Sequence, residues 1–475
     1  MRDEGHFLNL FKVTKKDMEA VIAAAMSCGA SYADLYFEHT IYRNLILRDG
    51  EVTSGGFHID YGVGIRALDG ERTGYSYCET TQIQEMLEAA KVAASIGSGG
   101  QRSIKTATPA TPFRNAEKGF YDDTLGWEQS EVAAISDYLK RLELNINSRD
   151  NRISKTVASF SASHSSVMMF NSFGELCSDT RPMCSISARI AFSDGKTSDS
   201  RSTSRSFRKG PEMLTDDLID EIASELCGGI DNCLEAGRPK GGKMPVVMGA
   251  GASGILLHEA MGHAFEADFN RKGQSVFCGK IGKRICSPDI NIVDDATVEF
   301  NRGACNFDDE GVPGQKTYMV KDGILTSYLH DRISASHFGV SPTGNGRRES
   351  FRFHPIPRMR LTYMENGSCS ASDIISSVKN GIYVDEFSNG QVNIGQGDFT
   401  FFVKSGFLIE SGRLTKPVKD INVIGNGPRA LEDLTAVGCD LKISDGRWTC
   451  GKEQSVPVSC GMPTVLVREL TVGGE

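Results

Sequence analysis

No window of this sequence approaches eighteen consecutive apolar residues, so no helix of it is expected to span a membrane. The first dozen residues, Met1 to Lys12, have no apolar h-region, which gives the expectation of a cytoplasmic protein without a secretory leader. Basic clusters are short, Arg347-Arg348 being an example, and 52 Lys and Arg against 61 Asp and Glu leave a net charge of -9. An acidic chain gains nothing from the counterion release that drives nucleic-acid binding, so direct contact with nucleic acid is not expected. Cysteine is present without a framework: thirteen, an odd number, are scattered from Cys28 to Cys460, which reads as reduced thiols. Histidine is scarce, nine in 475 residues, so a close pair of histidines carries information.

The one close pair that names a chemistry lies in Gly249-Ala-Gly-Ala-Ser-Gly254, followed by Ile255-Leu-Leu-His258-Glu259-Ala-Met-Gly262-His263-Ala-Phe-Glu266-Ala-Asp268. The apolar run from Ile255 to Leu257 continues through Ala260, Met261, Ala264 and Phe265, which predicts a buried helix entered from a Gly-rich turn. His258-Glu259-x-x-x-His263 is one residue longer than the His-Glu-x-x-His of ordinary zinc peptidases. On a regular helix, positions i and i+4 lie about 40° apart, whereas i and i+5 lie about 140° apart. Both imidazoles can face one ion only if the helix carries a one-residue π-bulge, and Gly262 is the residue expected to accommodate it. The glycine pieces Gly249 to Gly254 and Gly395-Gln-Gly397 lack the Lys-Ser/Thr of a phosphate loop, which excludes that chemistry.

At 475 residues the chain is long enough for more than one core. Helical spacing predicts a helix over Thr14 to Ala25, a second from about Thr81 to Ala94 and a third from Glu128 to about Leu144. Between the first two, from Tyr32 to Tyr77, the period is two, with Asp49-Gly50 and Asp69-Gly70 as hairpin turns. Lys155 to Ala191 returns to strands, Asp194-Gly195 marks another turn, and Asp216 to Glu235 is again helical. Gly237-Arg-Pro-Lys-Gly-Gly-Lys243 is the boundary candidate, because Gly and Pro cluster between regular elements. The expected class is therefore α+β. Residues 1–237 form an N-terminal α+β domain with an antiparallel sheet and flanking helices. Residues 244–475 form a C-terminal, mostly antiparallel β domain carrying the metal-binding helix. In the latter, Pro245 to Met248, Asn291 to Asp294, Lys316 to Val320, Gly381 to Phe387, Phe399 to Ile409 and Val456 to Val467 read as strands, with helix around Asp331 to Phe338 and Ala371 to Lys379.

A peptidase zinc needs a third protein ligand and an open position for water. His330, His337, His354, Glu266, Cys439, Cys450 and Cys460 are the candidates by residue type. Of these the segment Thr449-Cys450-Gly451-Lys452 stands out, read as a tight turn in which backbone N–H groups and the ammonium hold a thiolate. Glu266, three residues beyond His263, is either an acceptor for a ligand imidazole or a solvated carboxylate. Arg347 and Arg348 are either a bidentate clamp for a peptide carboxylate or anchors of the Gly344-Asn-Gly loop.

These residues carry a resemblance. The segments Tyr32-Ala-Asp-Leu-Tyr-Phe37, Gly62-Val-Gly-Ile-Arg66, Gly249 to Asp268, Gly344-Asn-Gly-Arg-Arg-Glu349, Pro357-Arg-Met359, Gly406-Phe-Leu-Ile-Glu410, Gly425-Asn-Gly427 and Thr449 to Lys452 span nearly the whole chain. Together they resemble the TldD branch of the TldD/PmbA (TldE) metallopeptidases, a family also described as modulators of DNA gyrase. The long metal motif is the specific part, since the partner branch lacks it. The resemblance implies that His258, His263 and Cys450 ligate one Zn²⁺ and that Glu259 is the general base. Fe²⁺ and Mn²⁺ are compatible with the same ligands. It further implies peptidase activity on short or unfolded peptides, taken up in extended form. The expected assembly is a heterodimer with a TldE/PmbA-like subunit, with a homodimer as the alternative. The competing reading is a regulatory protein, the gyrase-modulator idea, in which the metal is structural.

Overall fold

The computed structural model describes residues 3–96, 113–114, 119–121, 126–127, 130–251 and 253–473. Six strands form the first sheet: β1 (Tyr32–Arg48), β2 (Glu51–Asp69), β3 (Arg72–Cys78), β4 (Ile153–Asn171), β5 (Leu176–Ser193) and β6 (Ser198–Phe207), in the order β3-β2-β1-β4-β5-β6 and antiparallel throughout. The turn between β1 and β2 falls where the sequence predicts it. Asp49 and Gly50 both take positive φ, 52° and 78°, the pair that a two-residue type I′ turn needs.

The long strands have room for two cores on one face. Leu35 and Phe37 of β1 pack with the helices Lys15–Ala25 and Ile83–Ala94 at one end. Leu45 and Leu47 of the same strand pack with the helices Val132–Arg149 and Asp216–Gly228 at the other. Alternation sends Tyr36 to the opposite face, where it meets Phe307 and Phe351 from the second half of the chain. That seam also holds buried charge: Arg66 pairs with Asp34 and with Glu310, and Arg181 with Asp309.

β7 (Gly242–Met248) begins the second half, followed by β8 (Ile292–Asp295), β9 (Lys316–Lys321), β10 (Ile324–Leu325), the two-stranded pair β11 (Gly346–Arg347) and β12 (Ile356–Pro357), and β13 (Leu361–Met364). The remaining strands are β14 (Asn380–Val392), β15 (Asp398–Glu410), β16 (Arg413–Val418), β17 (Ile421–Asn426), β18 (Leu434–Val437), β19 (Lys442–Ile443), β20 (Trp448–Lys452), β21 (Gln454–Met462) and β22 (Val465–Gly473). One sheet runs β10-β9-β8-β13-β21-β19, with β20 on the edge of β21. The other runs β14-β7-β22-β17-β15-β16, and the pairing of β14 with β15 closes five of its strands into a small barrel. Only the β13–β21 and β7–β14 pairs among these are parallel, so the mostly antiparallel α+β class holds.

The motif helix lies between barrel and sheet. Ile255, Leu256, Leu257, Ala260, Met261 and Phe265 share one core with Val246, Val384, Phe401 and Val467 of the barrel and with Ile292, Val320 and Met364 of the sheet. Two glycines permit the approach: a Cβ at Gly254 would lie 2.8 Å from the Gly461 backbone, and one at Gly427 would collide with the Ala260 carbonyl.

Several boundaries differ from expectation. The expected start of the third helix at Glu128 lies outside the described residues, and the helix runs on to Arg149, where Ile146 still packs in the core. Gly229 interrupts the helix expected over Asp216 to Glu235. The single strand expected from Val456 to Val467 is two strands, parted at Pro463-Thr464. A helix over Glu4–Phe11 adds to the reading: Asp3 caps it, and Phe7 and Phe11, one turn apart, are buried. No helix among the described residues is long and apolar enough to cross a membrane.

Candidate metal centre

His258–Gly262 forms one turn of π-helix between an α-helical turn, Gly254–Leu257, and a 3₁₀ turn, His263–Phe265. The His263 N–H donates to the His258 carbonyl, five residues back. This widened turn brings residues five apart to one side, and the two imidazole centroids are 5.1 Å apart. The role of Gly262 differs from expectation. Its φ of -57° and ψ of -48° are ordinary helical values, so the bulge makes no demand on its backbone. What it lacks is a Cβ, which would collide with the Met359 sulfur.

Cys450 comes from β20, far along the chain. Side chains two apart on a strand share a face, so Cys450 and Lys452 both turn inward while Gly451 is exposed. The Cys450 Sγ lies 3.2 Å from His263 Nε2, and one donor atom each from His258, His263 and Cys450 fall within 4.8 Å of one another. Both ring nitrogens of His258 are buried without a hydrogen-bond partner among the described residues. Buried polar atoms are ordinarily paired, so an unsatisfied ring nitrogen fits a site completed by an ion, which takes one of the two. Two imidazoles and a thiolate are a donor set that suits Zn²⁺. Glu259 follows His258 directly; its Oε2 lies 3.8 Å from His263 Nε2, and its side chain is 25% exposed against 7% for His263.

The charges are mutually adjusted. Burial opposes the Cys450 thiolate, but His258 and then His263 outweigh it and hold the thiol down to about 4. Burial likewise opposes a charged His263, and Glu266 and Cys450 push it up to about 10. Glu266 Oε2 accepts from His263 Nδ1 at 2.9 Å, which turns Nε2 towards Cys450. Lys452 donates to Glu266 at 3.0 Å, to Asp268 at 2.8 Å and to the Pro357 carbonyl at 3.1 Å. Despite its complete burial Glu266 is therefore held down to about 2, first by Lys452 and then by His263. Arg358 adds a guanidinium 3.8 Å from Glu266 Oε1 and donates to the Cys450 carbonyl at 2.7 Å.

Other candidates lie apart from this cluster. His330 is buried beside Phe338 and Tyr328, His337 pairs with Glu71, and His354 packs near Tyr75. Cys460 belongs to the apolar core, and Cys439 is exposed. The tight turn expected over Cys450 to Lys452 is instead a strand that reverses at Glu453, and its ammonium holds Glu266 and not the thiol. Arg347 and Arg348 do not fit a carboxylate clamp, because both are buried and their Nη nitrogens are committed. Arg347 donates to the Met359 and Pro457 carbonyls, and Arg348 to the carbonyls of Asp309 and Phe353 and to Tyr75. The sequence reading gave the Lys452 ammonium to the thiolate and gave Arg358 no role, whereas both reach Glu266. The Cys-x-Lys spacing, read as a strand, places the former.

Comparison with known proteins identifies relatives of the chain. Family models for the PmbA/TldA metallopeptidases match three segments: domain 1 at residues 33–96, the central domain at 126–227 and the C-terminal domain at 241–474. The Haemophilus influenzae protein named Metalloprotease TldD homolog is 39% identical over 454 residues, 93% of each chain. A Saccharolobus solfataricus protein named Zinc metalloprotease TldD homolog is 33% identical over 258 residues, 54% of this chain and 57% of that one. Among solved structures, a candidate modulator of a DNA gyrase from Thermotoga maritima has a TM-score of 0.78 at 22% identity, covering 97% of this chain and 100% of that chain. TldE from Thermococcus kodakarensis has a TM-score of 0.74 at 18% identity, covering 96% and 100%. The structural likenesses carry the fold, and the sequence matches along nearly the whole length carry the kinship: this chain belongs to the PmbA/TldD metallopeptidase family.

Proposed function

We propose that the chain is a zinc-dependent peptidase acting on short or unfolded peptides, with His258, His263 and Cys450 as metal ligands and Glu259 as general base. The observation that carries this reading is the π-turn, because it converts a spacing unusable on a regular helix into a convergent pair of imidazoles beside a thiol. Zinc is favoured by the donor set and by the name of the Saccharolobus solfataricus relative; Fe²⁺ and Mn²⁺ are the alternatives.

A divalent ion held there supplies Lewis acidity, polarising the scissile carbonyl and acidifying a water. Glu259 takes the proton from the attacking water and delivers it to the leaving amine. Its partial exposure suits a group that must meet water and substrate. Glu266 keeps His263 in the tautomer with Nε2 free to ligate, and Lys452 keeps Glu266 charged. Cys450 brings negative charge to the ligand set where a third imidazole would bring none.

The likeness to TldE supports an assembly in which this chain is the catalytic partner of a motif-lacking TldE/PmbA-like subunit, a homodimer being the alternative. The competing regulatory reading makes the ion structural, but structural zinc prefers four closed protein ligands and has no use for a carboxylate beside it. The test is cleavage of an unstructured polypeptide, alone and with the motif-lacking relative, by wild type and Glu259→Ala at matched zinc content. Loss of cleavage with zinc retained is expected. Equal cleavage by the variant, or none by wild type in either assembly, overturns the peptidase reading.

A further inference from the structure

Near the strand that carries Cys450 the described residues bury positive charge without compensating it. Arg208, Arg302 and Arg347 are 6%, 7% and 4% exposed, and none of them pairs with a carboxylate among the described residues. Three segments meet there. The Arg208 N–H donates to the Phe300 carbonyl at 2.9 Å, the Ser206 N–H donates to the Asp445 carbonyl at 2.7 Å, and Phe207 bridges Asn301. Arg302 spends Nε on the Trp448 carbonyl at 2.9 Å and Nη1 on the Ser206 hydroxyl at 2.6 Å, which leaves Nη2. Arg347 has both Nη atoms on carbonyls and contributes only its charge.

Arg208 is the unusual member. Its guanidinium lies over the Tyr121 ring at 5.1 Å, its Nε is buried without a partner, and no side-chain hydrogen bond or ion pair of it occurs among the described residues. The nearby carboxylates are committed elsewhere. Asp179 accepts from Tyr121, Asn306 and Arg181, and Asp309 accepts from Arg181 and from the Arg348 N–H. Burial lowers Arg208, and burial followed by the neighbouring Arg447 and Arg208 brings Arg302 down to about 9. A buried charge left unpaired is strongly unfavourable, whereas a guanidinium fork matches a carboxylate or phosphate.

We propose that Arg208, with Arg302 beside it, is a binding site for a small oxyanion, a carboxylate or phosphate, that supplies the counter-charge missing among the described residues. Two sources share this chemistry: a free anion, and a carboxylate of a bound peptide. The second rests on the peptidase reading above. It is within reach because Arg302 holds the carbonyl of Trp448, two residues and roughly 7 Å along β20 from Cys450.

The test is thermal melting of the zinc-loaded protein and of Arg208→Met in chloride buffer of constant ionic strength, with inorganic phosphate titrated in. Wild type should gain Tm saturably, and the variant should melt above wild type without phosphate and ignore its addition. A wild type blind to phosphate, an equal gain in the variant, or a variant that is less stable or fails to fold in chloride overturns the proposal. Kinetics then separate the sources. If a peptide carboxylate occupies the site, phosphate and Arg208→Met each raise KM about tenfold for a free-acid peptide and leave kcat and the amidated peptide unchanged. If a free anion occupies it, the Tm response stands while KM does not move. Because melting needs no cleavage, failure of the peptidase reading would leave this result intact.

Discussion

Cys450 and Lys452 stand two residues apart on β20 and turn to the same side, the thiol reaching His263 and the ammonium reaching Glu266. One strand thus delivers both a prospective ligand and the charge that steadies the carboxylate orienting another. The two functions are coupled through a single hydrogen bond, His263 Nδ1 to Glu266.

Replacing Lys452 by Met removes the ammonium 3.0 Å from a fully buried carboxylate, leaving His263 at 2.9 Å and Arg358 at 3.8 Å. Zinc affinity should fall by about 10–100-fold. Stability should fall by about 3 kcal/mol, because a buried charge loses its partner. Competition against a chromophoric chelator and denaturant titration measure the two, and Lys452→Arg should recover part of each. Unchanged zinc affinity would show that His263 does not depend on this chain of contacts.

Gly262→Ala pushes a methyl into the Met359 sulfur. The expected cost is about 1–3 kcal/mol. Since the clash is with one side chain, Gly262→Ala combined with Met359→Ala should be less destabilised than the sum of the single changes, by at least about 0.5 kcal/mol. Additive losses would place the strain in the π-turn itself.

Burial holds His330 down to about 4, and its Nδ1 has no partner among the described residues. The unfolded chain protonates this group near its ordinary value of 6.5, so between 6.5 and 4 the unfolded state binds the extra proton. The contribution of His330 is present above pH 6.5 and drains away as pH falls, at about 1.4 kcal/mol per pH unit. His330→Phe, which cannot protonate, should therefore gain on wild type by that slope in paired denaturation curves. Parallel curves would mean that His330 titrates normally.

Zinc should stabilise the fold through the unsatisfied His258. A free concentration a thousandfold above Kd contributes about 4 kcal/mol. Calorimetry with and without chelator should show the shift in wild type and its disappearance in His258→Ala. A shift that survives in the variant would locate the ion elsewhere.

How much of this was legible in the chain depends on range. The hairpin at Asp49-Gly50 is local chemistry, a period of two broken by residues that tolerate positive φ, and it lies where expected. The π-turn is local as well, because two histidines five apart leave a helix few ways to converge. Cys450 is different: the residues beside it singled it out, but as part of a tight turn that does not form, and it is the pairing of β20 with β21 that brings it inward. Lys452 was given to the thiolate by reading a strand as a turn, whereas it holds Glu266. Arg347 and Arg348 came with two readings, and their burial with bonds to backbone carbonyls fits the loop anchors and not the carboxylate clamp. The helix Gly427–Glu432 had its signals in place, an Asn426 cap and a Pro at the first turn, but it is too short to show a period.

The extra residue between His258 and His263 acts as a phase shift. Everything after it is rotated by about 100° relative to an uninterrupted helix. Deleting one residue there and closing the π-turn would restore a regular His-Glu-x-x-His with the imidazoles still aligned, and the pairs Glu266–His263 and Asn270–Ala264, both downstream of the cut, would move together. A shortened motif could therefore keep both its ion and the contacts behind it, provided the widened turn closes with it, so the spacing of the two histidines and the width of the turn can change only together.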